Sequence, residues 1–348
     1  MWKKAVCIFL SLLLFIPCTA FSEAREIPDP QEDGFEASEG GSSGMPTGMP
    51  GLSSENFSAD DIPAEYLEPC GGQQGRVEKV RYTVSTEEGR QVKIATVYLP
   101  REYDDSGKKY NVLYLLHAAS GKPQNYLNPE KETAFRNLLD HMIADGVLEP
   151  LIVVAATYYP TEGFIKFMPL ERQVAAISDF PEELTTLVIP AVESEYRTWA
   201  ESTDMEGIVA SRAHRGIAGF SLGGVATWNV FQKEMRCFRW FLPISEASWS
   251  DAEGGTSGIW DSDVSAQVLY DAVLEQGFSR DDFRLFVATG TDDEAFDIST
   301  SQMVSLLEYS ELFKPGDNTS CSMMAGGTHT LSAVYTYLYH ILPALFTD

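Results

Sequence analysis

At 348 residues, 44 % of them apolar, the chain can bury the core of one large α/β domain or two small ones. It carries 51 Asp and Glu against 25 Lys and Arg, a net charge of −26, which leaves no basic face for phosphate and excludes nucleic acid as a partner. Of five cysteines, Cys7 and Cys18 lie in the leader; the remaining three, Cys70, Cys237 and Cys321, are an odd number that argues against a disulfide framework. No Cys-x-x-Cys or His-rich cluster points to a metal, and no cofactor is expected.

Taken in order, the chain opens on Lys3 and Lys4, an apolar run at 5–16, and small residues at Cys18-Thr19-Ala20 or Ser22-Glu23-Ala24. Residues 1–24 therefore read as a secretion signal, too short to favour a spanning helix. A secreted, extracellular product with no stable membrane insertion after cleavage is expected. Residues 25–62 are rich in Gly, Ser, Pro and Glu, include a Met-Pro-Thr-Gly-Met-Pro-Gly run, and read as a disordered linker able to tether the domain to a cell surface.

The folded domain is expected over 63–348. Alternating residues at 77–85 and 91–99, separated by Glu87-Glu88-Gly89, predict an antiparallel hairpin at a sheet edge. The continuous apolar run at 111–116 instead predicts a strand covered on both faces. Then follow a helix at 132–144, a strand at 151–156, and a helix at 180–196 with Asp179 as N-cap, Pro181 at its first position and a kink at Pro190. Strands at 216–220, 238–244, 283–288 and 321–324 alternate with helices beginning at 222 and at 263–276, 301–312 and 331–345. This alternation predicts one α/β domain with a mostly parallel sheet, helices on both faces and an N-terminal antiparallel edge hairpin.

The chemistry centres on Gly219-Phe220-Ser221-Leu222-Gly223, which falls between a predicted strand and a predicted helix. That is the pattern of a nucleophile elbow, where glycines two before and two after the serine remove a backbone clash. A serine needs a base, and the base needs an acid to orient it; in an elbow both follow the serine, acid first. His329, in the loop Gly326-Gly327-Thr328-His329 before the last helix, is the candidate base, and His340 lies within that helix. Past the strand at 283–288, Thr289-Gly290-Thr291-Asp292-Asp293-Glu294 offers Asp293 as the acid, with Asp292 as the alternative. The oxyanion hole needs the N–H of Leu222 and a second donor from the loop His117-Ala118-Ala119-Ser120-Gly121, at Ala118 or Ala119. Tyr158, Tyr159, Trp249 and Trp260 fall in predicted loops and are candidate walls of a substrate pocket. The loop at 245–258 is a candidate cap.

The segments Asn111-Val112-Leu113-Tyr114-Leu115-Leu116-His117, Gly219-Phe220-Ser221-Leu222-Gly223-Gly224, Gly290-Thr291-Asp292-Asp293 and Gly326-Gly327-Thr328-His329 together resemble the esterase-D-like branch of the α/β hydrolases. Within it, the chain is most similar to secreted feruloyl and acetyl-xylan esterases of carbohydrate esterase family one. The resemblance implies the α/β-hydrolase fold from about residue 63 onward. It assigns Ser221, His329 and, as the last residue of Gly-Thr-x-Asp, Asp293 as the triad. The implied reaction is hydrolysis of ester-linked feruloyl or acetyl groups on plant xylan through an acyl-enzyme. One departure stands out: the family places glycine after the histidine of the oxyanion loop, where this chain has Ala118 and Ala119. Alanine takes a positive φ only at a cost, so a reshaped loop is expected. Two other readings of the same residues are an acyltransferase and a non-catalytic carbohydrate-binding relative.

Overall fold

The computed structural model describes residues 56–86, 89–159, 169–251 and 253–347. The expected signal at 1–24 and most of the expected linker lie outside them. Among the described residues nine strands form one sheet in the order β1-β9-β8-β7-β6-β4-β5-β3-β2. β1 (Asn56–Phe57) pairs parallel with β9 (Thr319–Met324). The folded sheet therefore starts inside the span expected to be linker, where buried Phe57 stacks on His340 with ring centroids 4.1 Å apart. β2 (Arg76–Thr86) and β3 (Gly89–Leu99) form the expected antiparallel edge hairpin, and β3 joins β5 (Ile152–Ala156) antiparallel. From there β5, β4 (Val112–Leu116), β6 (Arg215–Phe220), β7 (Trp240–Ile244), β8 (Arg284–Gly290) and β9 run parallel.

The continuous apolar strands have two buried faces, as their sequence requires. In β4, Tyr114 and Leu116 enter one core while Leu113 and Leu115 enter the other. A short helix, α1 (Tyr103–Ser106), precedes β4. α2 (Ala134–Ala144), capped by Thr133, covers the Leu113 face through Phe135, Leu138, Leu139 and Met142, together with α9 (Leu331–Ile341). The Tyr114 face is covered by α3 (Leu170–Glu183), α6 (Leu222–Glu234), α7 (Ser262–Glu275) and α8 (Phe296–Leu307).

The helix expected at 180–196 differs. α3 begins ten residues before that, at Leu170, so Asp179 and Pro181 lie inside it. The stripe Ile177, Phe180, Leu184 and Val188 is buried at helical spacing and carries the helix through Pro181. A π-turn over Leu184–Val188, with Ile189 N–H on the Leu184 carbonyl, then shifts the register into α4 (Ile189–Glu193), and this wider turn is where the helical backbone takes in Pro190, which has no N–H to donate. α5 (Met205–Ala210) leads into β6. The cysteines Cys70, Cys237 and Cys321 are free thiols, and burial pushes those of Cys237 and Cys321 up to about 12.

Candidate active site

The parallel strands end on the same edge of the sheet, and the candidate residues gather there. At the end of β6 the backbone of Ser221 adopts φ 56° and ψ −125°, a region that costs an L-residue about 1–3 kcal/mol. The glycines around it are sterically required. A Cβ on Gly219 would sit 2.0 Å from the carbonyl oxygen of Gly223, and one on Gly223 would sit 2.6 Å from that of Leu116. The turn is pinned by Ser221 N–H donating to the Ile244 carbonyl at 3.0 Å. α6 starts at the next residue, so its N-terminal N–H groups and dipole face the serine.

β8 and β9 deliver the other two residues. Asp293 is buried, with a fully buried side chain, and its Oδ1 accepts from Nδ1 of His329 at 2.8 Å and from the Ala295 N–H at 2.8 Å. Asp292 is exposed and, among the described residues, accepts only from the Thr291 hydroxyl, at 3.2 Å. The geometry thus separates the two aspartates: Asp293 reaches the imidazole and Asp292 faces solvent. The two loops are sewn together by Asp292 N–H on the Gly327 carbonyl and Gly326 N–H on Thr291 Oγ1. Their close approach needs a bare backbone at Gly290, where a Cβ would lie 2.1 Å from the Gly327 oxygen. The His329 ring packs on Phe220, the neighbour of Ser221, with centroids 4.5 Å apart. Burial lowers the His329 pKa, but the hydrogen bond and charge of Asp293, with Glu294 and Glu246 beyond, outweigh it and the net shift is upward.

The candidate oxyanion loop is held from behind. His117 is buried and neutral, its pKa pulled down by burial to about 4. Its Nδ1–H donates to the Ala118 carbonyl at 2.8 Å, and its Nε2 accepts from the Thr157 hydroxyl at 2.8 Å. The Tyr158 hydroxyl donates to the His117 carbonyl at 2.9 Å and that of Tyr159 donates to the Ala119 carbonyl. All three carbonyls are thereby engaged, whereas among the described residues the N–H groups of Ala118, Ala119 and Leu222 donate to no acceptor. Neither alanine has a positive φ. The reshaping expected from alanine at these positions is therefore not imposed by backbone strain.

Tyr158 and Tyr159, expected as pocket walls, are 2 % and 1 % exposed and act as props beneath this loop, because their hydroxyls reach its carbonyls. Trp249 is half-buried and its Nε1–H donates to Glu246 Oε1 at 3.4 Å. Trp260 is 59 % exposed, and no hydrogen bond or ring contact joins it to Ser221, Asp293 or His329. In the candidate cap, Asp251 accepts from the backbone of Glu253, Gly255 and Ser257 and so organises its own turn. The other histidines are held elsewhere: His340 on Asp61, His214 on Asn111 and His141 on the Glu68 carbonyl. One charged residue went unread in the sequence. Glu246 lies two residues past the end of β7 and is only 9 % exposed. An acid just beyond a buried parallel strand is the signal that would have found it, as it found Asp293.

A strained serine between a parallel strand and a helix, on a doubly covered sheet, places the molecule among the α/β hydrolases. Residues 85–311 match the family described as "Putative esterase", and the chain belongs to that family. It is 35 % identical over 291 residues to endo-1,4-beta-xylanase Y of Acetivibrio thermocellus, covering 82 % of this chain but 24 % of that protein. The chain thus spans about a quarter of the length of the curated relatives it matches. A solved serine-to-alanine mutant of the feruloyl esterase module from Clostridium thermocellum, complexed with sinapinate, is 32 % identical; the match covers 85 % of this chain and 95 % of that one with a TM-score of 0.71. A ferulic acid esterase from the anaerobic fungus Anaeromyces mucronatus shares the fold at 18 % identity, with a TM-score of 0.63 over 85 % of this chain and 98 % of that one.

Proposed function

We propose that the protein is a secreted serine esterase that removes feruloyl or related hydroxycinnamoyl groups from plant cell-wall polysaccharide through an acyl-enzyme. The observation that carries the reading is the Asp293–His329 hydrogen bond beside the strained Ser221. With Nδ1–H held by Asp293, the Nε2 of His329 is left to take the proton from Ser221 Oγ as that oxygen attacks the ester carbonyl. The new C–O bond places a negative oxygen against the N–H groups of Leu222 and of Ala118 or Ala119. The imidazolium returns its proton to the sugar oxygen as that bond breaks. Water, deprotonated by His329, then releases the acid and restores the serine.

The names of the similar proteins support the acyl group and the xylan setting, since they describe a feruloyl esterase module and a xylanase. No helix of the described residues is long and apolar enough to cross a membrane, which is compatible with export directed by residues 1–24. Methyl ferulate, methyl sinapate and an aryl acetate, incubated with the wild type and with Ser221→Ala, test the reading. Release of hydroxycinnamic acid by the wild type alone is the expected result. Equal rates in the two proteins on every ester would overturn it, and turnover of the acetate alone would replace the acyl group with acetyl.

A further inference from the structure

The end of β7 contributes a side chain that the triad does not use. Glu246 is held rigidly. Its carbonyl accepts from Trp228 Nε1–H at 3.2 Å, and the preceding Ser245, at φ 53°, donates its N–H to the Ala288 carbonyl at 2.8 Å. Its Cβ lies 3.1 Å from where a Cβ on Gly224 would be, so it sits against the first turn of the helix that begins after Ser221. Its two hydrogen bonds, from Ala247 N–H at 3.1 Å and Trp249 Nε1–H at 3.4 Å, both fall on Oε1. Among the described residues Oε2 takes none. Among the described residues no Lys or Arg lies in salt-bridge range of Glu246. It follows β7, the strand between β6, which ends just before Ser221, and β8, which leads to Asp293, and the charges of His329 and Asp293 act on it. Those that bear on His329 are Asp293, Glu294 and Glu246.

We propose that Glu246 is a positioning residue for His329, a second buried carboxylate whose charge stabilises the imidazolium that forms when Ser221 gives up its proton. The proposal rests on the serine-esterase reading above. A buried carboxylate without a cation is costly to a fold, and such residues concentrate where chemistry needs them. Burial pushes the Glu246 pKa up, partly offset by the Ala247 and Trp249 donors and by His329, to about 7. The sign for stability follows. Between the ordinary value of 4.5 and about 7, the unfolded chain ionises this group while the folded chain keeps it neutral, so the unfolded state binds fewer protons and stability falls as pH rises. Removing the charge should therefore help the fold above neutrality while harming the reaction.

The test compares the wild type with Glu246→Gln. The His329 imidazole, followed by NMR against pH, should titrate at lower pH in Glu246→Gln. The acid limb of kcat/KM should move down with it, and kcat/KM at pH 8 should fall roughly threefold to tenfold, since one pKa unit of interaction is tenfold. The melting temperature at pH 8 should hold or rise. An unmoved His329 titration would overturn the proposal. The reverse variant reads the same coupling by linkage: in His329→Ala, the Glu246 carboxyl should titrate at higher pH than in the wild type, and no change there would equally overturn it. Both titrations read the coupling without turnover, so they stand apart from the Ser221→Ala assay, whose failure would sink the esterase reading instead.

Discussion

Strand β6 begins and ends on buried charge, and the two ends are built in opposite ways. At its start, Arg215 is 1 % exposed and every N–H of its guanidinium is used: on both oxygens of Glu193, the carbonyls of Ile208 and Cys237, and Ser211 Oγ. Glu193 accepts in addition from Tyr114 and Thr198. At the other end, Ser221 is strained, and among the described residues Asp293 Oδ2 is buried without a partner, as are the hydroxyls of Ser245, Thr289 and Tyr337, and no Lys or Arg pairs with Glu246. The saturated end fixes strands, helices and loops to one another. The other end is left with incomplete hydrogen bonds, which the proposed esterase reaction would put to use. Where every hydrogen bond of a buried charge is complete, as at Arg215, the charge is a structural part.

The difference can be tested from its largest consequence down. Ser221→Ala should cost about 10⁴-fold or more in kcat while leaving thermal stability unchanged, because the change removes the reacting oxygen and nothing that holds the fold. Rate assays beside differential scanning calorimetry separate the two effects. Arg215→Ala should do the reverse. Leaving Glu193 buried and unpaired should destabilise by about 3–5 kcal/mol in urea unfolding, with kcat of the remaining folded protein close to wild type. A large loss of kcat with intact stability in this variant would erase the distinction between the ends.

The pH profile offers a milder test. His329 is shifted upward, so the proton that blocks the base is held more firmly than by a free imidazole. The acid limb of kcat/KM should have its midpoint above the ordinary 6.5, and activity should fall as pH drops through it. Smallest of all should be Tyr159→Phe, which removes the hydroxyl behind Ala119. Losing one neutral hydrogen bond is worth about 1 kcal/mol, or roughly fivefold, expected in kcat with KM little changed if the loop positions the oxyanion donor.

Much of this molecule was legible in the sequence because its parallel strands have two buried faces, and runs such as Val112–Leu116 carry that fact in their composition. That Ser221, Asp293 and His329 come to one edge of the sheet was legible because chain order and glycine spacing constrain where a strand–turn–helix serine and the loops after it can lie. The start of α3 was hidden because its first residues, Leu170 to Gln173, include Glu171, Arg172 and Gln173 and give no apolar stripe. The roles of Tyr158 and Tyr159 were hidden for another reason. An aromatic in a loop reads the same whether it lines a pocket or props a carbonyl, and only the neighbouring strand decides. Phe57 illustrates the limit: a single aromatic in a polar stretch gains its meaning from His340, far along the chain.

The account turns on Ser221 being the atom that attacks. A fluorophosphonate probe followed by peptide mass mapping measures this directly. One adduct per chain, on the peptide carrying Ser221 and absent from Ser221→Ala, is the predicted result. An adduct on any other residue, or equal labelling of Ser221→Ala, would contradict the account.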